Sequence, residues 1–316
     1  MMTLATVLVT GSSSGLGRNT AETLARRGYT VFASMRASSG KNAGVASELR
    51  ALARDEALDL HVLDLDVTDD ESVQSAVATI IERTGRIDVV VNNAGFGFSG
   101  ISEAMLIEQV HHQFDVNLYG VLRVNQAVLP HMRRQRSGLL VYVASTASQI
   151  VVPMLGMYSA TKAALAAMAR GIAYEVQSLG IDTTIIQAGG FATEFGANVM
   201  KAANDEVWSE YGEMGQFATA FTDGMDVALE PGVASDPQLF ADLVADLIAA
   251  PRGARPLYVP IGMGSEPFDL INQAIDGVER QSLRMFGLDQ FVRNTPAYLP
   301  ATMADELEEE WLARAA

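Results

Sequence analysis

The chain has 316 residues, 49% of them hydrophobic and 19% charged, which suits one globular α/β body carrying an insertion and excludes disorder. With 38 Asp and Glu against 22 Lys and Arg the formal net charge is -16, so phosphate backbones and anionic membranes are repelled and neither nucleic acid nor membrane is expected as a partner. Cysteine is absent, which removes disulfides, thiolate metal sites and cysteine nucleophiles; residues 1–6 carry no basic leader, so a cytoplasmic protein is expected.

Along the chain, short β-branched runs alternate with stretches of helical period as far as about residue 190. Strands are expected at 6–10, 30–35, 58–66, 88–92, 138–145 and 181–187, and helices at 16–27, 43–53, 71–83, 103–133 and 156–179. That rhythm belongs to the α/β class: a doubly wound parallel sheet with helices on both faces. Beyond Gly190 the rhythm breaks. Residues 191–229 are rich in Phe, Met, Ala and Gly and show no strand, so a helical substrate lid is expected at about 190–232. A helix at 236–249, a strand at 257–259 and a C-terminal helical extension at about 262–316 complete a single domain over 1–316. In the tail, residues 302–314 place Met303, Leu307, Trp311 and Leu312 near one helical face, expected to pack on the body or on a sister subunit.

The first strand runs into Gly11-Ser12-Ser13-Ser14-Gly15-Leu16-Gly17 and then a helix. Glycines there let the backbone approach a pyrophosphate, whose charge the free amides of the helix start would stabilise. No Lys-Ser or Lys-Thr pair follows the last glycine, so the turn is not an ATP-type P-loop. At the end of the second strand, where a carboxylate would select NAD, the chain reads Ser34-Met35-Arg36. A guanidinium suits the extra phosphate of NADP(H), which is the cofactor expected.

Tyr158 and Lys162 stand four apart at the start of a helix and so share a face. A phenol has a pKa near ~10, and a neighbouring ammonium favours its ionised form. Ser145 ends the strand just before that helix, at the edge where open parallel sheets hold ligands, whereas Ser148 lies past it.

With these motifs in order, the chain resembles the short-chain dehydrogenase/reductase family, in its common shorter-chain form, over about residues 6–193. Thr10 to Gly17 matches the family's glycine turn, and Asn92-Asn93-Ala94-Gly95 its segment after the fourth strand. Asp66, followed by Val67, falls where the family contacts adenine, and Asn117 at the family's helix asparagine. The resemblance implies a Rossmann-type fold and an oxidoreductase that moves a hydride between NADP(H) and an alcohol or ketone. It further implies Tyr158 as general acid/base, Lys162 on the nicotinamide ribose, Ser145 orienting the reacting oxygen and Asn117 holding a relay water. Gly11, Ser13, Ser14, Gly15, Leu16, Gly17, Arg36, Asp66, Val67, Asn93, Ala94, Gly95, Gly189 and Thr193 would then join Tyr158 and Lys162 around the cofactor. One departure is Ala188-Gly189-Gly190 where the family usually has Pro-Gly, which leaves that loop more backbone freedom. A homodimer or homotetramer built on the helices at 103–133 and 156–179 is also implied.

No metal site is expected: His111 and His112 diverge on a helix, and His61 and His131 suit surface or packing roles. Phe96, Phe98, Met154, Leu155, Phe191, Phe195, Met200 and Trp208 fall near the nicotinamide or in the lid and suit a lipophilic substrate. The lid and the second strand look more like the hydroxysteroid and retinol dehydrogenase branch than the sugar-reductase branch. Two competing readings are a silent NADP(H) sensor or scaffold and a sugar-nucleotide epimerase or dehydratase, whose glycine turn is spaced differently.

Overall fold

The computed structural model describes residues 5–291; the expected tail helix at 302–314 lies outside the described residues. Its centre is a seven-stranded sheet in the order β3-β2-β1-β4-β6-β7-β9, every pair parallel. The strands are β1 (Thr6–Val9), β2 (Thr30–Met35), β3 (Leu60–Asp64), β4 (Val89–Asn92), β6 (Gly138–Val143), β7 (Ile181–Ala188) and β9 (Tyr258–Ile261).

Alternate strand residues face opposite layers, and both layers are apolar, which is why β1, β4 and β6 read as nearly unbroken apolar runs. Val7 and Val9 pack on α1 (Gly15–Arg26), α2 (Ala43–Asp55) and α10 (Pro237–Ala249) through Leu24, Leu49 and Phe240. Leu8 and Val90 pack the other way, on α3 (Asp70–Thr84), α5 (Gly120–Gln135) and α6 (Gly156–Val176), through Val77, Val128 and Leu165. Among the described residues no helix is long and apolar enough to cross a membrane.

Three elements depart from expectation. The single helix expected at 103–133 is broken into a 3-10 turn (Ser102–Ala104), α4 (Ile107–Phe114), a π-helical segment (Asp115–Tyr119) and α5. A π segment widens the helix by a residue per turn and re-aims its side chains; here it carries Asn117 into the interior, where it is 1% exposed. Second, the lid region does hold a strand. β8 (Met200–Lys201) pairs in parallel with β5 (Phe98–Ser99), each too short to display a period of two. Third, β6 stops at Val143, and Ser145 instead caps a 3-10 turn (Thr146–Ser148), so Ser145 lies past the strand end as Ser148 does. Elsewhere in 190–232 the chain holds three helices, α7 (Asp205–Glu210), α8 (Glu213–Asp223) and α9 (Met225–Ala228), while residues 192–198 are turns and bends. Within the C-terminal extension, α11 (Phe268–Met285) is tied to α6, where Glu279 takes Arg170 at 2.6 Å and the Tyr174 hydroxyl at 3.1 Å.

Candidate active site

β1 and β4 are neighbours, yet the chain leaves one toward β2 and the other toward β6, so their carboxyl ends flank an open crevice. Gly11 opens the turn after β1 with φ +69°, the left-handed region, and a Cβ on it would stand 2.8 Å from Ala94 Cα. A Cβ on Gly17 would land on the Gly11 carbonyl and the Asn93 amide group. The turn is laced to the segment after β4. Thr10 Oγ1 accepts from the backbone amides of Asn93 and Ala94, each at 3.0 Å, while Asn93 Nδ2 donates to the carbonyls of Thr10 and Gly11 at 2.8 and 3.1 Å. The Asn93 side chain is thus a brace for the turn.

α1 begins on Ser14 without a side-chain cap, so the amides of Gly15, Leu16 and Gly17 have no acceptor inside the helix. Ser13 is half-buried and Ser14 exposed beside them. Thr193 stands opposite, its Cβ 3.4 Å from where a Gly15 side chain would begin. Free amides at a helix N-terminus, with glycines at Gly11, Gly15 and Gly17 leaving the backbone bare, make a donor set that fits a diphosphate, although a Glu194 carboxylate oxygen lies 3.9 Å from where a Gly15 side chain would begin.

Arg36 follows β2 and is exposed, with no ion pair among the described residues. A carboxylate does stand near this strand end, contrary to expectation, but it comes from β3: Asp64 pairs in register with Met35. Asp64 Oδ2 accepts from the Ser38 amide at 2.8 Å and the Ser38 hydroxyl at 2.7 Å, so it is already engaged. Asp66 lies on the next loop. Burial works against its carboxylate, but the amide and hydroxyl of Thr68, at 2.9 and 2.7 Å, together with Arg36 and His112, hold its pKa below the ordinary value. The neighbouring Val67 packs against Gly120, where a Cβ would approach Val67 Cγ2 to 2.7 Å.

Ser145, Tyr158, Lys162 and Asn117 converge at the floor of the crevice. Tyr158 is 8% exposed, and Ser145 beside it favours the ionised form of its hydroxyl; Ser145 Oγ accepts from the Ala147 amide at 3.1 Å. Lys162 Nζ donates to the Val143 carbonyl at 2.8 Å and lies 5.8 Å from the Tyr158 ring centre. Asn117 ties two segments together: Nδ2 donates to Phe96 O at 2.9 Å and Thr161 Oγ1 at 3.1 Å, and Oδ1 accepts from the Phe96 amide at 3.1 Å. Asn117 Oδ1 and Lys162 Nζ both face Gly95, at 3.1 and 3.5 Å from the place of its missing Cβ. The Val143 carbonyl and Thr161 carry no sequence signal, because a backbone oxygen has no letter and a helical threonine is common.

Burial pushes the Tyr158 hydroxyl up to about 12, Ser145 pulling the other way. Burial outweighs the lowering expected from Lys162, whose own ammonium is pushed down to about 8 by burial. A lysine whose folded pKa lies below its unfolded value destabilises the folded state at neutral pH, and the penalty disappears as pH rises through about 8 to 10.5. Lys162→Met removes that penalty. Its stability relative to wild type should therefore fall by roughly 3 kcal/mol between pH 7 and pH 10.5, read by urea unfolding at each pH. A pH-independent difference would mean that the buried ammonium carries no such penalty.

The loop after β7 is pinned by its neighbours. Gly189 N donates to Ile261 O at 2.8 Å and Gly190 N to Met263 O at 3.0 Å, so bonds to the β9 side supply the restraint that a proline would have supplied. Of the expected apolar lining, Phe191 belongs to the main core, and Phe98 and Trp208 to a separate cluster under the lid. Phe195 does reach the site, its ring centre 5.6 Å from that of Tyr158. Phe96 and Met154 are half-buried against that separate cluster, Leu155 is half-buried, and Met200 is 49% exposed. His61 pairs with Asp59 at 2.8 Å on β3, near the opposite end of the sheet.

The sequence profile described as short chain dehydrogenase matches residues 5–204. A 3-ketodihydrosphingosine reductase of Bacteroides thetaiotaomicron is 36% identical over 192 residues, covering 61% of this chain and 66% of that relative. Among solved structures, a short-chain dehydrogenase from Streptomyces avermitilis superposes with a TM-score of 0.71 at 29% identity, covering 91% of this chain and 98% of that one. An alcohol dehydrogenase from the archaeon Thermococcus sibiricus, complexed with 5-hydroxy-NADP, superposes with a TM-score of 0.66 at 25% identity, covering 83% of this chain and 97% of that one. A match over that much of the chain, in the residues that build both the sheet and the crevice, settles membership: this chain belongs to the short-chain dehydrogenase/reductase family of oxidoreductases.

Proposed function

We propose that this chain is an NADP(H)-dependent ketone reductase or alcohol dehydrogenase for a lipophilic substrate. The observation that carries the reading is a buried Tyr158, with Ser145 and Lys162 beside it, at the carboxyl ends of the central strands. The cofactor, when bound, supplies the hydride for the carbonyl carbon. Tyr158 keeps its proton at neutral pH because burial raises its pKa, so it is set to deliver that proton to the carbonyl oxygen during reduction. Ser145 Oγ holds the same oxygen beside it. Lys162 has three N–H donors and gives one to Val143, leaving two for the ribose hydroxyls. Asn117 Oδ1 accepts one bond, from the Phe96 amide, and so can accept another from a water linking Lys162 to solvent.

The adenosine end would lie over Asp66, Val67 and Ala94, the diphosphate on Ser13 to Gly17 and Thr193, and the nicotinamide between Gly95 and Gly189. The apolar Phe96, Met154 and Phe195 favour a hydrophobic ketone, and the 3-ketodihydrosphingosine reductase named above acts, by its name, on a keto lipid. A second copy would dock on α6, whose exposed residues Ala163 and Ala167 permit close helix packing. A cytoplasmic location completes the reading.

A panel of lipophilic ketones with NADPH, followed by loss of absorbance, tests it. Tight NADPH binding without turnover across the panel would favour the sensor reading instead. Arg36 is exposed at the end of β2 with no ion pair among the described residues, so Arg36→Asp should shift the kcat/KM ratio of NADPH over NADH by about 100-fold toward NADH. An unchanged ratio would remove Arg36 from cofactor selection.

A further inference from the structure

The geometry points to Asn272, on α11, as a positioning residue that couples the Ser145 turn to the loop carrying Gly189. This inference rests on the reductase reading above for its catalytic consequence, though not for its geometry. α11 lies beyond residues 5–204, the span that the family profile matches.

Asn272 is 8% exposed and makes three amide hydrogen bonds. Its Nδ2 donates to Gln187 Oε1 at 2.7 Å, and its Oδ1 accepts from Gln187 Nε2 at 3.2 Å and from Gln149 Nε2 at 2.9 Å. Gln187 is the next-to-last residue of β7, wholly buried and two residues before Gly189. Gln149 ends the 3-10 turn that Ser145 begins. That turn is stiff. The Ser148 amide and hydroxyl both donate to Ser145 O, at 2.9 and 2.6 Å, and Gln149 N donates to Thr146 O at 3.1 Å. Whatever holds Gln149 therefore holds Ser145.

The reciprocal pair between Asn272 and Gln187 would satisfy both amides by itself, and the third bond is what reaches the serine turn. Gln149 turns inward to make it although its Oε1 is left buried without a partner. A surface loop amide would not adopt that pose unless drawn in, because an unmet buried acceptor is costly. Directly afterwards, Ile150 and Val151 are 45% and 70% exposed, so the bond to Asn272 marks where the turn stops being held. One side chain thus references both the hydroxyl that orients the carbonyl and the loop expected beside the nicotinamide. Reacting groups displaced by about 1 Å can lose about 100-fold in rate.

Asn272→Ala and Gln149→Ala should each lower kcat by about 10-fold with NADPH affinity within about two-fold for Gln149→Ala, and the double variant should lose no more than the worse single. Glu279→Ala loosens α11 from α6 without touching the amide cluster and should keep kcat within about two-fold. Hydrogen exchange at the Ala147 and Ser148 amides, which needs no substrate, should quicken in Asn272→Ala and Gln149→Ala and not in Glu279→Ala. If Asn272→Ala fails to fold, Gln149→Ala decides alone. Unchanged exchange and kcat, or additive losses in the double variant, would overturn the coupling. A wild-type protein that reduces no ketone sinks the reductase reading, while the exchange rates still decide whether Asn272 holds the turn.

Discussion

Tyr158→Phe is expected to lower kcat for ketone reduction by about 1000-fold while leaving the dissociation constant for NADPH within about two-fold. The phenylalanine ring keeps the contact with Phe195 and the packing under Gly97, so the apolar wall of the site stays in place. What disappears is the hydroxyl, the proposed proton donor for the carbonyl oxygen and the group that Ser145 acts on. The alternative donors are poor. Ser145 has a far higher pKa than a phenol, and Lys162 Nζ is directed at the Val143 carbonyl, 5.8 Å from the Tyr158 ring centre. Single-turnover rates with saturating NADPH, beside fluorescence titration of the nucleotide, separate chemistry from binding. A phenylalanine variant keeping more than a tenth of the wild-type rate would show that the proton comes from elsewhere.

Gly17→Ala should abolish measurable nucleotide binding, a loss of at least about 100-fold, and cost roughly 1–3 kcal/mol of stability through overpacking. The added methyl would meet the Gly11 carbonyl and the Asn93 amide group, both of which belong to the brace between the glycine turn and the segment after β4. Neither can retreat cheaply. Gly11 is held in the left-handed region against Ala94, and Asn93 makes two hydrogen bonds that a shift would break. Because the free amides of α1 begin in the same turn, displacing it misdirects the donors that would meet the diphosphate. Isothermal titration with NADPH, beside a urea melt of the free protein, reads both effects. Wild-type affinity in a folded Gly17→Ala variant would mean that the diphosphate does not lie on this turn.

The contrast between these two positions shows what a sequence exposes. Gly17 is legible because its neighbours in the chain, a strand before and a helix after, already dictate a close turn. Tyr158 and Lys162 are legible because four residues of helix bring them to one face whatever the rest of the molecule does. The direction of the Tyr158 pKa was not legible: it depends on burial beneath Phe195 and the lid, which no local window contains. The carboxylate near Arg36 was hidden for a similar reason, since Asp64 reaches that strand end only through the pairing of β3 with β2. The same holds for Phe98, Phe191 and Trp208, whose letters suit a ligand wall as well as a core and which packing assigns to the core.

By itself, then, the chain's order of letters determined the parallel sheet, the turn at its switch point and the helical pair of tyrosine and lysine. Each of these arises from periods of two or 3.6 residues or from interactions within a few positions. Only the tertiary structure decided that β8 pairs with β5, that a π segment turns Asn117 inward, that Lys162 finds the Val143 carbonyl and that α11 brings Asn272 between Gln149 and Gln187. Those contacts join residues separated by 19 to 123 positions, and such contacts form only where the packed core brings distant segments together.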